Sequence, residues 1–146
     1  MRKLLIGLLL TAACTSRTIE VPATSQESGP RPALAAFLGS VRAQDLQAMS
    51  GVWGDKDGAV RDNKKMSREE MERRELILMC YFRHDKYRVL GDTPGTDGER
   101  ILQVELTKGT LSRTTNFYLA RGGDRWYVRS ADMDPVKDLC ADRGKQ

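Results

Sequence analysis

The sequence predicts an α+β fold, with N-terminal helices packed on a curved antiparallel sheet of about four or more strands. Three observations carry this expectation. Apolar residues between positions 34 and 82 recur at helical spacing, those after position 86 alternate with polar residues at strand spacing, and glycine-containing turns separate the alternating segments. Helices first and hairpins afterwards is the pattern of a sheet covered on one side by helices.

The chain has 146 residues, the size of a single domain. Its formal charge of +4 includes Arg2 and Lys3. Without them 22 of the 24 basic residues stand against 20 acidic ones, a balance of +2 that predicts no steering toward nucleic acid. The most charged stretch, residues 61–74, mixes both signs and reads as a solvated helix face.

Arg2 and Lys3 precede an apolar run over residues 4–10, followed by Thr11, Ala12, Ala13 and Cys14. This is the three-part pattern of an export signal, and its apolar run is far short of the roughly 20 residues of a membrane-spanning helix. The stretch LLLTAAC resembles the bacterial lipobox, with Thr11 where that motif most often has leucine. The resemblance implies a signal peptide over 1–13 and a Cys14 that is acylated (palmitate and related chains) as the first residue of the mature lipoprotein. It also implies a location outside the cytoplasm, in the cell envelope and facing the periplasm. Several acyl chains on one residue make a stable anchor, where one chain is marginal. Thr15 is not aspartate, which in a Gram-negative envelope favours the outer membrane. The alternative is cleavage by ordinary signal peptidase, leaving a secreted protein with a free thiol. Residues 14–32, rich in Ser, Thr, Pro and Gly, read as a flexible linker, and the folded domain is expected over 33–146.

Leu34, Phe37, Leu38 and Val41 share one helical face; the phase breaks at Asp45 and restarts at Leu46 and Met49. Two short helices with Asp45 as the N-cap of the second account for this, a buried acid being the other reading. Ser67 and Glu70 form a capping box that opens a third helix running to about Phe82, with Glu69–Arg73 and Glu70–Arg74 as i,i+4 pairs and Met71, Leu78 and Phe82 as its apolar stripe. Glu75 lies at the edge of that stripe and reads as a boundary residue.

Strands are expected over 87–90, 101–107, 111–120 and 125–131, joined by GDTPGTDG, Lys108-Gly109 and Gly122-Gly123. Leu111, Arg113, Thr115, Phe117 and Leu119 share a face in the third of these, and Trp126 and Val128 point inward in the last. This order of elements, with QDLQAM, the WG after it and GGDRWYV in the last strand, resembles the nuclear transport factor 2-like family over roughly residues 33–133. The resemblance implies a cone-shaped domain whose bent sheet and helices enclose a pocket, used by some members for catalysis and by others for binding. Fold alone does not settle the use.

With Cys14 acylated, Cys80 and Cys140 are an even pair in an oxidising compartment, the arithmetic of one disulfide; two separate thiols are the alternative. The only histidine, His84, reads as a surface turn residue, and one histidine cannot build a His-rich metal site. Asp55, Asp57 and Gly58 have part of a calcium-loop spacing, but Trp53 and Lys64 occupy the positions of the first carboxylate and the bidentate glutamate, so a polar turn is expected and no metal or other cofactor is. Serine-nucleophile motifs are absent. The family resemblance makes Asp45, Glu75, Tyr87 and Tyr118 the nearest candidates for a cavity acid and phenol, and none stands out as catalytic.

Two function classes follow. One is a non-enzymatic envelope lipoprotein, held to the membrane by its lipid, that binds a small apolar ligand or another envelope protein. The alternative is a cavity enzyme of isomerase or hydro-lyase type. A carboxylate of raised pKa facing a tyrosine inside the cavity favours the enzyme, and an apolar cavity favours the binder.

Overall fold

The computed structural model describes residues 29–141. The leader, Cys14, most of the expected linker and the last five residues lie outside them.

Helix α1 spans Pro30–Ala43, three residues earlier than the expected domain start. Pro30 explains the difference, because proline is favoured in a first helical turn, where its missing N–H has no intrahelical partner to lose. Leu34, Phe37, Leu38 and Val41 are all buried. The helix stops at Gln44, which takes the left-handed conformation (φ 53°) and gives its N–H to Ser40 and Val41 carbonyls. Helix α2, Leu46–Val52, starts from Asp45, whose Oδ1 accepts the Ala48 amide at 3.0 Å. Asp45 is therefore an exposed cap rather than a buried acid.

A two-residue pairing of β1 (Gly54–Asp55) with β2 (Gly58–Ala59) follows, where only a turn was expected. It is made by glycine. Gly58 has φ +105°, and a Cβ on Gly54 would stand 2.3 Å from the Gly58 carbonyl oxygen. Helix α3, Arg68–Tyr81, opens on Ser67, whose hydroxyl accepts the Glu70 amide at 3.1 Å. The Glu70 carboxylate turns to Arg74 instead (2.6 Å), and Glu69–Arg73 and Arg68–Glu72 pair along the wet side. The buried residues of α3 are Glu75, Met79 and Cys80, with Phe82 at its C-cap; Met71 and Leu78 are only half-buried. The helix is thus rotated from the expected stripe.

Four strands form one antiparallel sheet in the order β3 (Lys86–Pro94), β4 (Arg100–Lys108), β5 (Leu111–Gly122), β6 (Arg125–Ala131). The α+β class and the four-stranded antiparallel sheet are as expected. Strand β3 is longer than expected: a bulge between Val89 and Gly91 carries it through GDTP, leaving Leu90 exposed. The two-residue hairpin loops are Gly109-Thr110 and Gly123-Asp124, each one residue later than read, with both glycines at positive φ. Leu102 pairs with Phe117, Val104 with Thr115 and Leu119 with Val128, which stacks one inner face of the sheet. Trp126 shares that side, half-buried, while Tyr127 is buried on the other, under the β1–β2 pair beside Gly122.

The inner face, α1, Met49, Met79, Phe82, Val136 and Leu139 make one buried cluster. At about 25 cal/mol per Å2 of apolar surface removed from water, clusters of this kind supply the main favourable term of folding. The chain then makes a 3-10 turn (Asp134–Val136) and the short helix α4 (Lys137–Ala141), which Arg113 holds through Asp138 (2.8 Å) and Lys108 through the Leu139 carbonyl (3.1 Å). This return brings Cys140 to Cys80. The two are joined by a disulfide with Cα atoms 4.8 Å apart, tying α4 to the end of α3. In the chain-entropy account a loop of this length contributes about 4 kcal/mol. Reduction is expected to lower the melting temperature measurably and non-reducing peptide mapping to give Cys80 and Cys140 in one linked fragment; two separate thiol peptides from the oxidised protein would contradict the bridge.

Candidate functional site

Residues of helix α3 and strand β6 line an apolar groove with a volume of about 320 Å3. Phe37 of α1, Trp53 after α2, Leu78 and Phe82 of α3, Val128 of β6 and Met133 form much of its wall. Each element brings its contribution for a local reason. Trp53 ends α2 and forms a parallel bridge with Val128, covering part of the β6 edge. The chain turns away there into β1, and Ser130 and Ala131 farther along β6 line the groove. The rotation of α3 leaves Leu76 58% and Ile77 47% exposed, and Ile77 lines the groove. Small-molecule sites occupy about 300–1,000 Å3 and are mostly apolar, so the volume is at the small end of that range.

Arg74 and Arg129 are the charged residues on its lining, and the guanidinium of each is taken up by a glutamate. Arg74 gives Nη2 to Glu70 (2.6 Å), and Arg129 forms a close pair with Glu99, its Nη2 at 3.0 Å from Oε2. The Arg129 guanidinium also lies 5.8 Å from the centre of the Tyr118 ring.

The four nearest candidates for a cavity acid and phenol are scattered. Asp45 caps α2. Tyr87 is exposed on β3 and touches the His84 ring edge-on, with centroids 5.8 Å apart. Tyr118 lies on the sheet face opposite Phe117 and donates its hydroxyl to Asp132 (3.2 Å), which also accepts from Asn116 (3.1 Å). Burial and the Asp132 carboxylate push the phenol above its ordinary range. None of the four lines the apolar groove.

Glu75 is the departure that matters most. It is fully buried, and neither carboxylate oxygen has a hydrogen-bond partner among the described residues. A boundary position was expected. Burial, reinforced by the nearby Glu72 carboxylate, pushes its pKa from the ordinary 4.5 up to about 7. His84 also departs from expectation: it is buried, not on a surface turn. Its Nδ1–H donates to the Phe82 carbonyl at 2.8 Å, which leaves Nε2 of the neutral ring as an acceptor with no partner among the described residues. Burial, aided by Arg42, lowers its pKa against the opposing pull of that bond and Asp85.

The pair Asp55 and Asp57 meets a cation, but of the protein's own. Lys65 Nζ sits 2.7 Å from Asp55 and 2.6 Å from Asp57, and its hydrogen bonds are the main reason that the Asp57 carboxyl titrates below its usual range. An ammonium group therefore fills the space between the carboxylates of the calcium-loop fragment. Neither this pair nor the burial of Glu75 and His84 was legible as such; Lys65 carried no spacing signal, and an isolated acid in a helix is more often wet than buried.

A raised folded-state pKa means that the folded chain holds the Glu75 proton more tightly than the unfolded chain between pH 4.5 and 7. Stability accordingly falls as pH rises through that window and levels off above it. Glu75→Met removes the charged form and is expected to be more stable than the parent by about 2–3 kcal/mol near pH 8, with the difference shrinking toward pH 4.5. Urea unfolding across this range checks it, and a variant less stable than the parent near pH 8 would contradict the assignment. No protein-family model, curated protein or solved structure matches this chain.

Proposed function

We propose that this chain is an exported lipoprotein whose folded domain is a non-enzymatic binding module, holding a small apolar ligand in the groove between α3 and β6. The observation that carries the binding role is the groove itself: an apolar space lined by residues of α1, α3 and β6, whose two charged residues, Arg74 and Arg129, are each paired with a glutamate.

The export reading rests on the sequence of residues 1–14, with Cys14 as the acylated residue, and a disulfide between Cys80 and Cys140 is chemistry suited to an oxidising compartment. Among the described residues no helix is long and apolar enough to cross a membrane, so the acyl chains are the anchor in this proposal. The domain faces the periplasm, from the outer membrane in a Gram-negative envelope. We further read the domain as a nuclear transport factor 2-like cone, which the order of helices and strands supports.

The cavity-enzyme alternative required a carboxylate of raised pKa facing a tyrosine. Glu75 has the raised pKa but does not line the groove, and the Tyr118 hydroxyl is committed to Asp132 on the other face of the sheet. The binding reading is favoured on that ground.

Cys14→Ser is expected to give an unprocessed or mislocalised precursor that takes up no labelled palmitate, because acylation and cleavage need the thiol. A variant cut at the same bond and still held in the membrane would contradict the lipid anchor. For the groove, native mass spectrometry of the protein is expected to show a co-purified species that organic extraction removes, and that Ile77→Asp, at an exposed groove position, no longer retains.

A further inference from the structure

A second pocket, of about 350 Å3, lies where α1 and α3 both end, and it shares no lining residue with the groove. Arg42 lines it from α1, Met79 from α3, and Arg83, His84 and Asp85 from the turn into β3. Arg42 and Arg83 differ from every other described arginine. Each of the others meets a carboxylate, a carbonyl oxygen or an aromatic ring, whereas these two side chains make no hydrogen bond or ion pair among the described residues. An arginine near a helix end commonly caps the last carbonyls. Here other donors do so: the Gln44 amide bonds Ser40 and Val41, the Phe82 amide bonds Leu78 and Cys80, and His84 Nδ1–H bonds Phe82.

We propose that this pocket is a second binding site, independent of the groove, for a ligand bearing a doubly charged tetrahedral oxyanion, a phosphate group held between the guanidinium groups of Arg42 and Arg83. His84 marks the same place independently. It is 6% exposed, and its Nε2 has no hydrogen-bond partner among the described residues. The Arg42 charge reaches the ring and opposes its protonation.

The two arginines select the shape of the anion as well as its charge. A guanidinium fork matches two oxygens, so one fork fills a monocarboxylate, while a tetrahedral oxyanion has oxygens for both. Asp85 and the carbonyl ends of the two helices oppose an anion at this place. Asp85 is engaged elsewhere, its Oδ2 accepting the Gly109 amide at 2.7 Å, and neither guanidinium pairs with it. Recognition therefore rests on two directed sets of charge-assisted hydrogen bonds rather than on the net field, and both arginines are required.

The test is an NMR titration of the purified, untagged protein, in which His84 is the only histidine and its ring signals report from the pocket. Inorganic phosphate, glycerol 3-phosphate and acetate are the probes, at constant ionic strength. Phosphate is expected to move the ring signals along a saturable one-site curve, and acetate to bind at least about tenfold more weakly, the usual scale for hydrogen bonds to charged groups. An anion beside Arg42 favours the charged ring, so the His84 pKa should rise in saturating phosphate. Arg42→Gln and Arg83→Gln should each weaken phosphate by about tenfold, and neither removes a bond that the fold uses. Arg68→Gln, at the other end of α3, should leave the affinity unchanged. Tighter binding of glycerol 3-phosphate than of phosphate would identify a phosphomonoester as the ligand, and the reverse order the free ion; either supports the site. Acetate bound as tightly as phosphate would overturn the doubly charged head. Shifts that never saturate, or binding indifferent to both pocket arginines, would overturn the site.

Discussion

Phe37 of α1, Phe82 at the end of α3 and Phe117 in the middle of β5 meet ring to ring, with centroids 4.9–6.1 Å apart and tilted or edge-on planes. Aromatic contacts of this geometry add about 0.5–1.5 kcal/mol each to what their burial already supplies. Their position matters more than that sum. The three rings join the first helix, the third helix and the sheet at a single point, and the Cys80–Cys140 bridge ties α4 to α3 two residues before that point. The C-terminal end of α3 is therefore fixed twice. Farther toward its start the helix stands off from β6, and that separation is the groove, with Phe37 and Phe82 as its floor.

The same orientation of α3 explains the helix's oddities together. Bringing Phe82 and Cys80 to the core turns Glu75 inward and Leu76 and Ile77 outward. A buried, unpartnered carboxylate costs free energy, which its raised pKa limits by allowing the neutral form near pH 7. Exposed aliphatic side chains beside an apolar groove extend its apolar surface. A helix placed for its own stability alone would bury Ile77 and expose Glu75.

Much of this architecture was legible because it is written locally. Asp45 and Ser67 announce their helices through a side-chain oxygen and the amide three residues on, and β4 and β5 announce themselves by alternation from Leu102 to Leu106 and from Thr115 to Leu119. The errors fall where distant contacts decide. Residues 75–79 read Glu-Leu-Ile-Leu-Met, so apolar side chains lie on several sides of α3 and only Phe82 and Cys80, held from α1, β5 and α4, set which side turns in. His84 is buried by a turn whose course depends on β3, and the β1–β2 pair exists because Gly54 and Gly122 permit backbones to approach closely. The groove is a gap between elements about fifty residues apart, and no spacing within either one describes it.

Pinning α3 at one end leaves an apolar groove between its free side and β6. Isotope-filtered NOE spectroscopy of the methyl-labelled protein with unlabelled dodecanol, an uncharged aliphatic probe, bears on this arrangement without intermediaries. Intermolecular contacts are expected from the alkyl chain to the methyl groups of Ile77, Leu78 and Val128, with the methyls of Val104 and Leu106 on the buried sheet face silent. Contacts confined to another surface, or none to Ile77 and Val128 in a protein that binds dodecanol, would contradict it.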